Sequence, residues 1–429
     1  MKKYLSIIVV LLLMVLSGCS GDGKTTGGGS GGGGKTKSGD ITLTYAIWDV
    51  NQAPALQQIA DKFNEENPNI KIKVEVTPWD QYWTKLETAA TGGSLPDLFW
   101  LNASNIQKYA KGKVLLPITE QADLDNVDLS KYPEALVKTY TVDDQLYAIP
   151  KDFDTIGLWY NKELFDNAGL EYPNENWTWD DLVDNAKKLT DEGNGIWGFS
   201  APLETQTGFY NTVYQAGGYI LNDDLTKAGH ADEKTLKGIK FMYDMIHTHK
   251  VSPTVAQMTD TPAISLFESG KVAMMFAGSW SQIEFAKNEY TKDKVDVTAL
   301  PTGEKKAVII HGLGNVIAAN TKYPEEAWKF SKFLGSEEAH KIQAETGTVI
   351  PAYQGTQDAW VQSNPNFNLQ VFIDMTEYSV PYPVSIETRK WQQIETEVLT
   401  QAWAGNMSLE DAVKEVAEKV DAVLADEKK

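Results

Sequence analysis

Cysteine occurs once in the 429 residues, at Cys19, and arginine once, at Arg389. A single thiol closes no internal disulfide, so any core this chain builds rests on packing. A single arginine removes the planar fork that grips phosphate in paired hydrogen bonds, which weighs against a phosphorylated ligand. Positive charge as a whole is scarce: 39 Lys and Arg stand against 59 Asp and Glu, a formal charge of −20. That balance argues against nucleic acid, whose affinity comes from cations that neutralise phosphates. Phosphate loops are missing too. Gly312-Leu-Gly-Asn315 has neither the third glycine of a dinucleotide fingerprint nor a Lys-Ser/Thr pair, and Gly278-Ser-Trp-Ser281 lacks the second glycine of a nucleophile elbow. His247 and His249 are two residues apart, on different faces of a helix end, which does not make a metal site. No cofactor, metal or catalytic residue is therefore expected. One enzymatic reading stays open, because a glycosidase needs only two suitably spaced carboxylates.

The ends of the chain speak about location. Lys2 and Lys3 precede an uncharged apolar run from Leu5 to Leu16, shorter than the roughly 20 residues of a membrane-spanning helix. Residues 1–18 read as a secretory signal peptide. Leu16-Ser-Gly-Cys19 resembles a bacterial lipobox, which makes Cys19 the expected site of lipid attachment. After it, Ser20 to Gly39 holds only Gly, Ser, Thr, Lys and one Asp; residues 19–39 thus read as a lipidated cysteine and a Gly-rich flexible tether. The 390 residues that remain exceed one ordinary core, so two domains are expected.

From residue 40 onward the pattern is α/β. Ile41, Leu43, Tyr45 and Ile47 alternate as in a strand. Leu56, Ile59, Ala60 and Phe63 follow at helical spacing up to Pro68, and Ile70, Ile72, Val74 and Val76 alternate again. This strand, helix, strand opening predicts a largely parallel sheet. Further expected elements are a helix over Gln81–Thr91, strands at Leu98–Leu101, Leu146–Pro150 and Val272–Phe276, and helices opened by Thr178 with Asp181 and by Pro324. Helices over about Thr388–Trp403 and from Ser408 to about Ala425 close the chain. The Trp-Asp pairs at 48, 79 and 179 are too unevenly spaced to mark a repeat.

Aromatic side chains are the abundant class, with 13 Trp and 18 Tyr. Sugar rings stack their C–H faces on aromatic rings and offer hydroxyl rims to carboxylates and amides, so this composition suits a carbohydrate site.

Six segments in order give this suggestion a family. They are Ala89-Ala-Thr-Gly-Gly-Ser-Leu-Pro-Asp-Leu-Phe-Trp100, Tyr147-Ala-Ile-Pro150, Tyr160-Asn-Lys-Glu-Leu-Phe165, Thr178-Trp-Asp-Asp-Leu182, Phe267-Glu-Ser-Gly-Lys-Val-Ala-Met-Met-Phe-Ala-Gly-Ser-Trp280, and Glu325-Glu-Ala-Trp-Lys-Phe330. Together they resemble the extracellular solute-binding proteins of ATP-driven (ABC) sugar importers, the group that includes maltose-binding protein. The resemblance implies an α/β, two-lobed periplasmic-binding-protein-like fold of class II type, with the ligand cleft between the lobes. One lobe would take residues 40–151 plus 312–353, the other 153–310 plus 356–425. Carried over position by position, it implies sugar contacts at Trp48, Trp100, Asp154, Trp280 and Trp391. Asp49, Asn102, Asp152, Tyr210 and Asn211 lie beside such positions as hydroxyl partners, and Gly312 and Gly314 would let backbone approach the ligand or flex at a crossing. Glu387 and Arg389 would line the cleft or pair with each other. The implied protein is monomeric, makes and breaks no bond, and is lipid-anchored on the outer face of a bacterial cell membrane. It would hand a carbohydrate, most simply an oligosaccharide, to membrane permease subunits. Asn102, Ala103 and Ser104 stand where maltose-type sequences carry charged groups, which argues against maltose itself. A receptor of the same fold for a polyamine or polyol phosphate stays open as an alternative.

Overall fold

The structure, a computed structural model, describes residues 40–429; the expected signal peptide, Cys19 and the expected tether lie outside the described residues. The opening elements form as their periodicity predicts. Strand Ile41–Ile47 turns Leu43, Tyr45 and Ile47 into the core, and helix Ala53–Glu66 lays Leu56, Ile59, Ala60 and Phe63 against it. The helix carries Pro54 in its first turn, where a missing N–H costs nothing, and it ends at Asn67 ahead of Pro68. Strand Ile70–Val76 then returns parallel to the first, with Ile41 opposite Ile70 and Ile47 opposite Val76. Leu98–Asn102 joins the other side, also parallel.

Beyond these three strands the expectation of a largely parallel sheet fails. Val308–Ile317 runs antiparallel to Leu98–Asn102, and Pro150–Asp154 and Ile350–Pro351 continue antiparallel. The reason is long-range. Val308–Ile317 is laid down by chain returning from a second sheet, and Pro150–Asp154 by chain about to leave for it, so their directions are set by these long-range paths, which no local pattern encodes. That second sheet has three strands, with Ile156–Asn161 between Met274–Gly278 and Val295–Thr298, both pairings antiparallel. The expected strands at 146–150 and 272–276 form a few residues later, at Pro150–Asp154 and Met274–Gly278. Proline lacks the ladder donor and suits the first position of a strand.

The two sheets meet where the chain passes between them. Thr155 alone separates Pro150–Asp154 in the larger sheet from Ile156–Asn161 in the smaller. The second passage runs along one long strand: Val308–Ile310 pairs with Ser379–Pro381 at the margin of the larger sheet, and His311–Ile317 pairs with Pro150–Asp154 and Leu98–Asn102.

Helix ends follow their sequence signals closely. Thr178 and Asp181 form a reciprocal capping box on helix Trp179–Leu189, which satisfies two backbone N–H groups that the helix itself leaves unpaired. Helix Thr388–Trp403 stops before Gly405, whose φ of 77° suits a residue without a side chain. Ser408 then accepts a hydrogen bond from the Asp411 N–H to start helix Leu409–Asp426. No helix among the described residues is long and apolar enough to cross a membrane.

Candidate functional site: a cleft at the chain crossings

Strand Ile41–Ile47 carries the chain to Trp48, and strand Met274–Gly278 of the other sheet carries it to Trp280. Both indoles are half-buried and line one cavity of about 670 Å³. Trp280 folds back over its own strand end: a Cβ on Gly278 would lie 2.0 Å from the indole ring, so only glycine permits this pose. Trp48 is held by a cluster of rings. Trp100 meets it at 4.9 Å and 85°, Tyr82 at 5.1 Å and 74°, Trp79 at 5.2 Å and 80°, all edge-to-face geometries that the ring quadrupoles favour.

Of the twelve ligand-side positions expected from sequence, Trp48, Asp49, Asn102, Asp152, Asp154 and Trp280 line this cavity. The other six sit behind it. Trp100 lies in a strand covered on both faces; it is fully buried, and its indole N–H donates to Tyr45 Oη at 2.6 Å, which donates in turn to Asn315 Oδ1. It supports Trp48 and does not itself reach the cavity. Trp391 is likewise buried, with its N–H bonded to Ser385 Oγ at 2.9 Å. Tyr210 turns its hydroxyl inward to donate to Glu395 Oε2 at 2.8 Å, and the other oxygen of that buried carboxylate meets His230. Asn211 braces backbone: its Nδ2 donates to the Gln206 carbonyl, and its Oδ1 accepts the Ile309 N–H. Gly312 answers to strand packing, since a Cβ there would stand 2.4 Å from the Asp152 carbonyl oxygen. Gly314 has the same cause, with Tyr140 and Ala148 each within 2.7 Å of its would-be Cβ.

Two carboxylates at the crossing are already engaged. Asp152 accepts from Lys151 Nζ at 2.6 Å and from the Leu313 N–H at 2.9 Å, while Lys151, only 1% exposed, also donates to Gln52 Oε1 at 2.7 Å. The ammonium sits 4.6 Å from the Trp100 ring centre, a cation–π contact that helps hold a buried charge. Asp154 accepts from Gln206 Nε2 at 2.5 Å and faces His311 Nδ1 at 3.8 Å. Burial pushes its carboxyl above the usual range, and His311 and Gln206 offset part of that rise. Asp49 is folded onto its own turn, accepting from the Asn51 N–H and Gln52 Nε2.

Several lining residues carried no earlier expectation: Trp79, Thr205, Gln206, His311, Tyr382 and Gln392. Tyr382 ties three of them together, because its hydroxyl meets Thr205 Oγ1 at 3.0 Å and accepts from Gln392 Nε2 at 2.6 Å, while its ring stands 5.1 Å from His311. The polar run Glu204-Thr-Gln-Thr207 was the available signal, lying just ahead of Tyr210 and Asn211. Of the Glu387 and Arg389 alternatives, Arg389 lines the cavity, and Glu387 pairs with Lys108 at 3.8 Å. No group of three or more His, Cys, Asp or Glu among the described residues is placed to hold a metal ion. The arrangement presents half-buried indole surfaces beside amides, hydroxyls and carboxylates, which suits a ligand with apolar faces and a hydroxylated rim.

Fold and cleft together define a two-lobed binding protein whose cavity lies where the chain passes between its sheets. The model of the bacterial extracellular solute-binding protein family matches residues 49–341, and the chain belongs to that family. It is similar to an ABC substrate-binding protein from Listeria monocytogenes solved in complex with cycloalternan, at 28% identity and a TM-score of 0.85 over 90% of this chain and 99% of that one. A solute-binding protein from Thermotoga lettingae, solved with α-D-tagatose, shares 27% identity and a TM-score of 0.78 over 90% and 100%. The arabinooligosaccharide-binding protein of Halalkalibacterium halodurans is 25% identical over 71% of this chain and 68% of its own.

Proposed function

We propose that this protein is the substrate-binding component of an ABC transporter, which captures an oligosaccharide in the cleft and delivers it to a membrane permease. The observation that carries this reading is the cavity wall itself, where Trp48 and Trp280 arrive from different sheets to flank the polar groups of Asp154, Thr205, Gln206 and Gln392. Its sugar-binding relatives support the same ligand class. The lobes divide at the crossings, with residues 40–151 and 312–353 on one side and 153–310 and 356–425 on the other. Ligand stabilises the closed arrangement because only that arrangement touches both of its faces.

The protein acts by binding and carries out no hydrolysis. This reading follows its sugar-binding relatives, and Asp152, bound to Lys151, and Asp154, bound to Gln206, both take part in holding the crossing together. Prolonged incubation with a bound oligosaccharide should return it intact, and released product would sink this point. Outside the described residues, Cys19 carries the lipid that holds the monomeric protein at the outer face of the cell membrane, and Cys19→Ser should move it from the membrane fraction to the medium.

Carboxylates outnumber cations along the cavity, with Asp49, Glu204 and Glu284 beside Arg389, and this favours a polyamine as the second reading. A thermal-shift screen decides between the two, since a ligand that binds only the folded state raises Tm by mass action. Oligosaccharides should raise Tm in a concentration-dependent way; a response to polyamines alone would overturn the sugar reading.

A further inference from the structure

A second cavity of about 760 Å³ lies beside the cleft, between helix Trp79–Gly92 and helix Thr388–Trp403. It is no separate pocket. Trp79, Glu204, Thr205, Arg389 and Gln392 line both spaces, so the two open into each other past one shared rim. Resting on the oligosaccharide reading above, we infer that this second cavity is an extension of the binding site and that the ligand is a chain of more than two sugar units, running from the cleft across that rim.

The rim has the chemistry to carry a sugar chain across. Trp79 is 43% exposed although it belongs to the aromatic cluster, standing edge-to-face with Trp48 at 5.2 Å and with Trp83 at 5.2 Å. Indole surface thus continues from the cleft (Trp48) to the exposed rim (Trp79), with the buried Trp83 packed behind it at the edge of the second cavity. A large exposed indole held by two neighbours is pre-ordered, so stacking on it costs little conformational entropy. Arg389 stands opposite. Its guanidinium lies 5.7 Å from the Trp83 ring centre, and its neighbour Glu387 is occupied by Lys108. Among the described residues no carboxylate pairs with it, so its fork of N–H donors is available to hydroxyls. Gln392 and Thr205, both already hydrogen-bonded to Tyr382, add oriented polar atoms on the same rim. A disaccharide seated between Trp48 and Trp280 has no need of this surface; a longer chain does.

The test is calorimetric titration with linear glucose and arabinose oligomers of one to six units, using the wild type, Thr84→Trp and Thr396→Trp. Both threonines are exposed, line only the second cavity, and sit on the two helices that face each other across it, so each variant fills the space from one side. In the wild type, affinity should climb by about tenfold or more beyond the disaccharide. In either variant that gain should vanish while disaccharide binding stays unchanged. Affinity that levels off at two units, or a full gain retained by both variants, overturns the extension. Absence of binding by every oligomer, together with no sugar raising Tm in the screen above, overturns the sugar reading itself, and this inference with it.

Discussion

On the side of the cleft fed by the larger sheet, Trp48 is clamped by Trp79, Tyr82, Trp83 and Trp100, and behind it a buried ammonium and carboxylate, Lys151 and Asp152, share their bonds with Gln52 and the Leu313 N–H. On the side fed by the smaller sheet and the C-terminal segment, Tyr382 is linked to Thr205 and Gln392 by single side-chain hydrogen bonds, and Gln206 donates separately to Asp154. The first wall is a packed cluster of rings centred on Trp48, which four others contact. The second is a set of polar groups, each held by one or two bonds. Interior packing resists displacement, whereas an individual hydrogen bond contributes only about 1 kcal/mol net. The aromatic wall therefore supplies a fixed platform, and the polar wall can readjust to the hydroxyl pattern laid on it.

The comparison can be broken most forcefully at Asp152. Removing its charge with Asp152→Asn leaves Lys151 buried and unneutralised, which should cost about 3 to 5 kcal/mol of unfolding free energy in urea; a loss under about 1 kcal/mol would mean that the first wall is not built on that pair. Next comes acid. His340, buried behind the same sheet with its Nδ1 facing the Ser336 carbonyl at 2.8 Å, is held down to about 4 from its ordinary value of 6.5, chiefly by burial. A depressed folded value means that the unfolded chain takes up the proton first. Stability is complete above about pH 6.5 and drains as pH falls toward 4, by up to about 3 kcal/mol at about 1.4 kcal/mol per pH unit. Urea midpoints measured across that window should fall in the wild type, and the His340→Gln variant should lose this contribution to the slope.

Smaller effects should separate binding from stability. Trp48→Ala should weaken oligosaccharide binding by about 2 kcal/mol, as expected for a central aromatic anchor. Trp100→Ala should appear first in the urea midpoint, because that ring is core and its removal leaves a cavity costing about 3 kcal/mol or more. Equal affinity losses without a stability difference would erase the distinction drawn between the two indoles. The mildest change, Tyr382→Phe, removes the hydroxyl bonded to Thr205 and Gln392 and should cost about 1 kcal/mol of stability, read as a small fall in the urea midpoint.

How far the sequence could be read depended on the range of the interactions involved. Local signals were sufficient for the capping box at Thr178, the proline-led helix at Pro324 and the alternating strand Ile41–Ile47, each of which concerns residues within a few positions of one another. Sheet direction was not legible, because Val308–Ile317 takes its orientation from chain that has returned from the other sheet. The site divides in the same way. Trp48 and Trp280 end strands and open onto the cleft, while Trp100 and Trp391 look equally suitable in sequence yet point into cores. Strand alternation predicts opposite faces but not which face a later element will cover. Tyr382 and His311 went unnoticed for a related reason: they meet only because Ser379–Pro381 pairs with Val308–Ile310, some seventy residues earlier in the chain.

The central claim is that a sugar binds between the two indoles that arrive from different sheets. It is tested most directly by titrating an oligosaccharide taken from the thermal-shift screen into the wild type and Trp280→Ala in a calorimeter. Trp280 is half-buried in the turn after a strand end, so the variant should lose less stability than Trp100→Ala and bind at least about tenfold more weakly. Unchanged affinity in a folded Trp280→Ala protein would contradict the account.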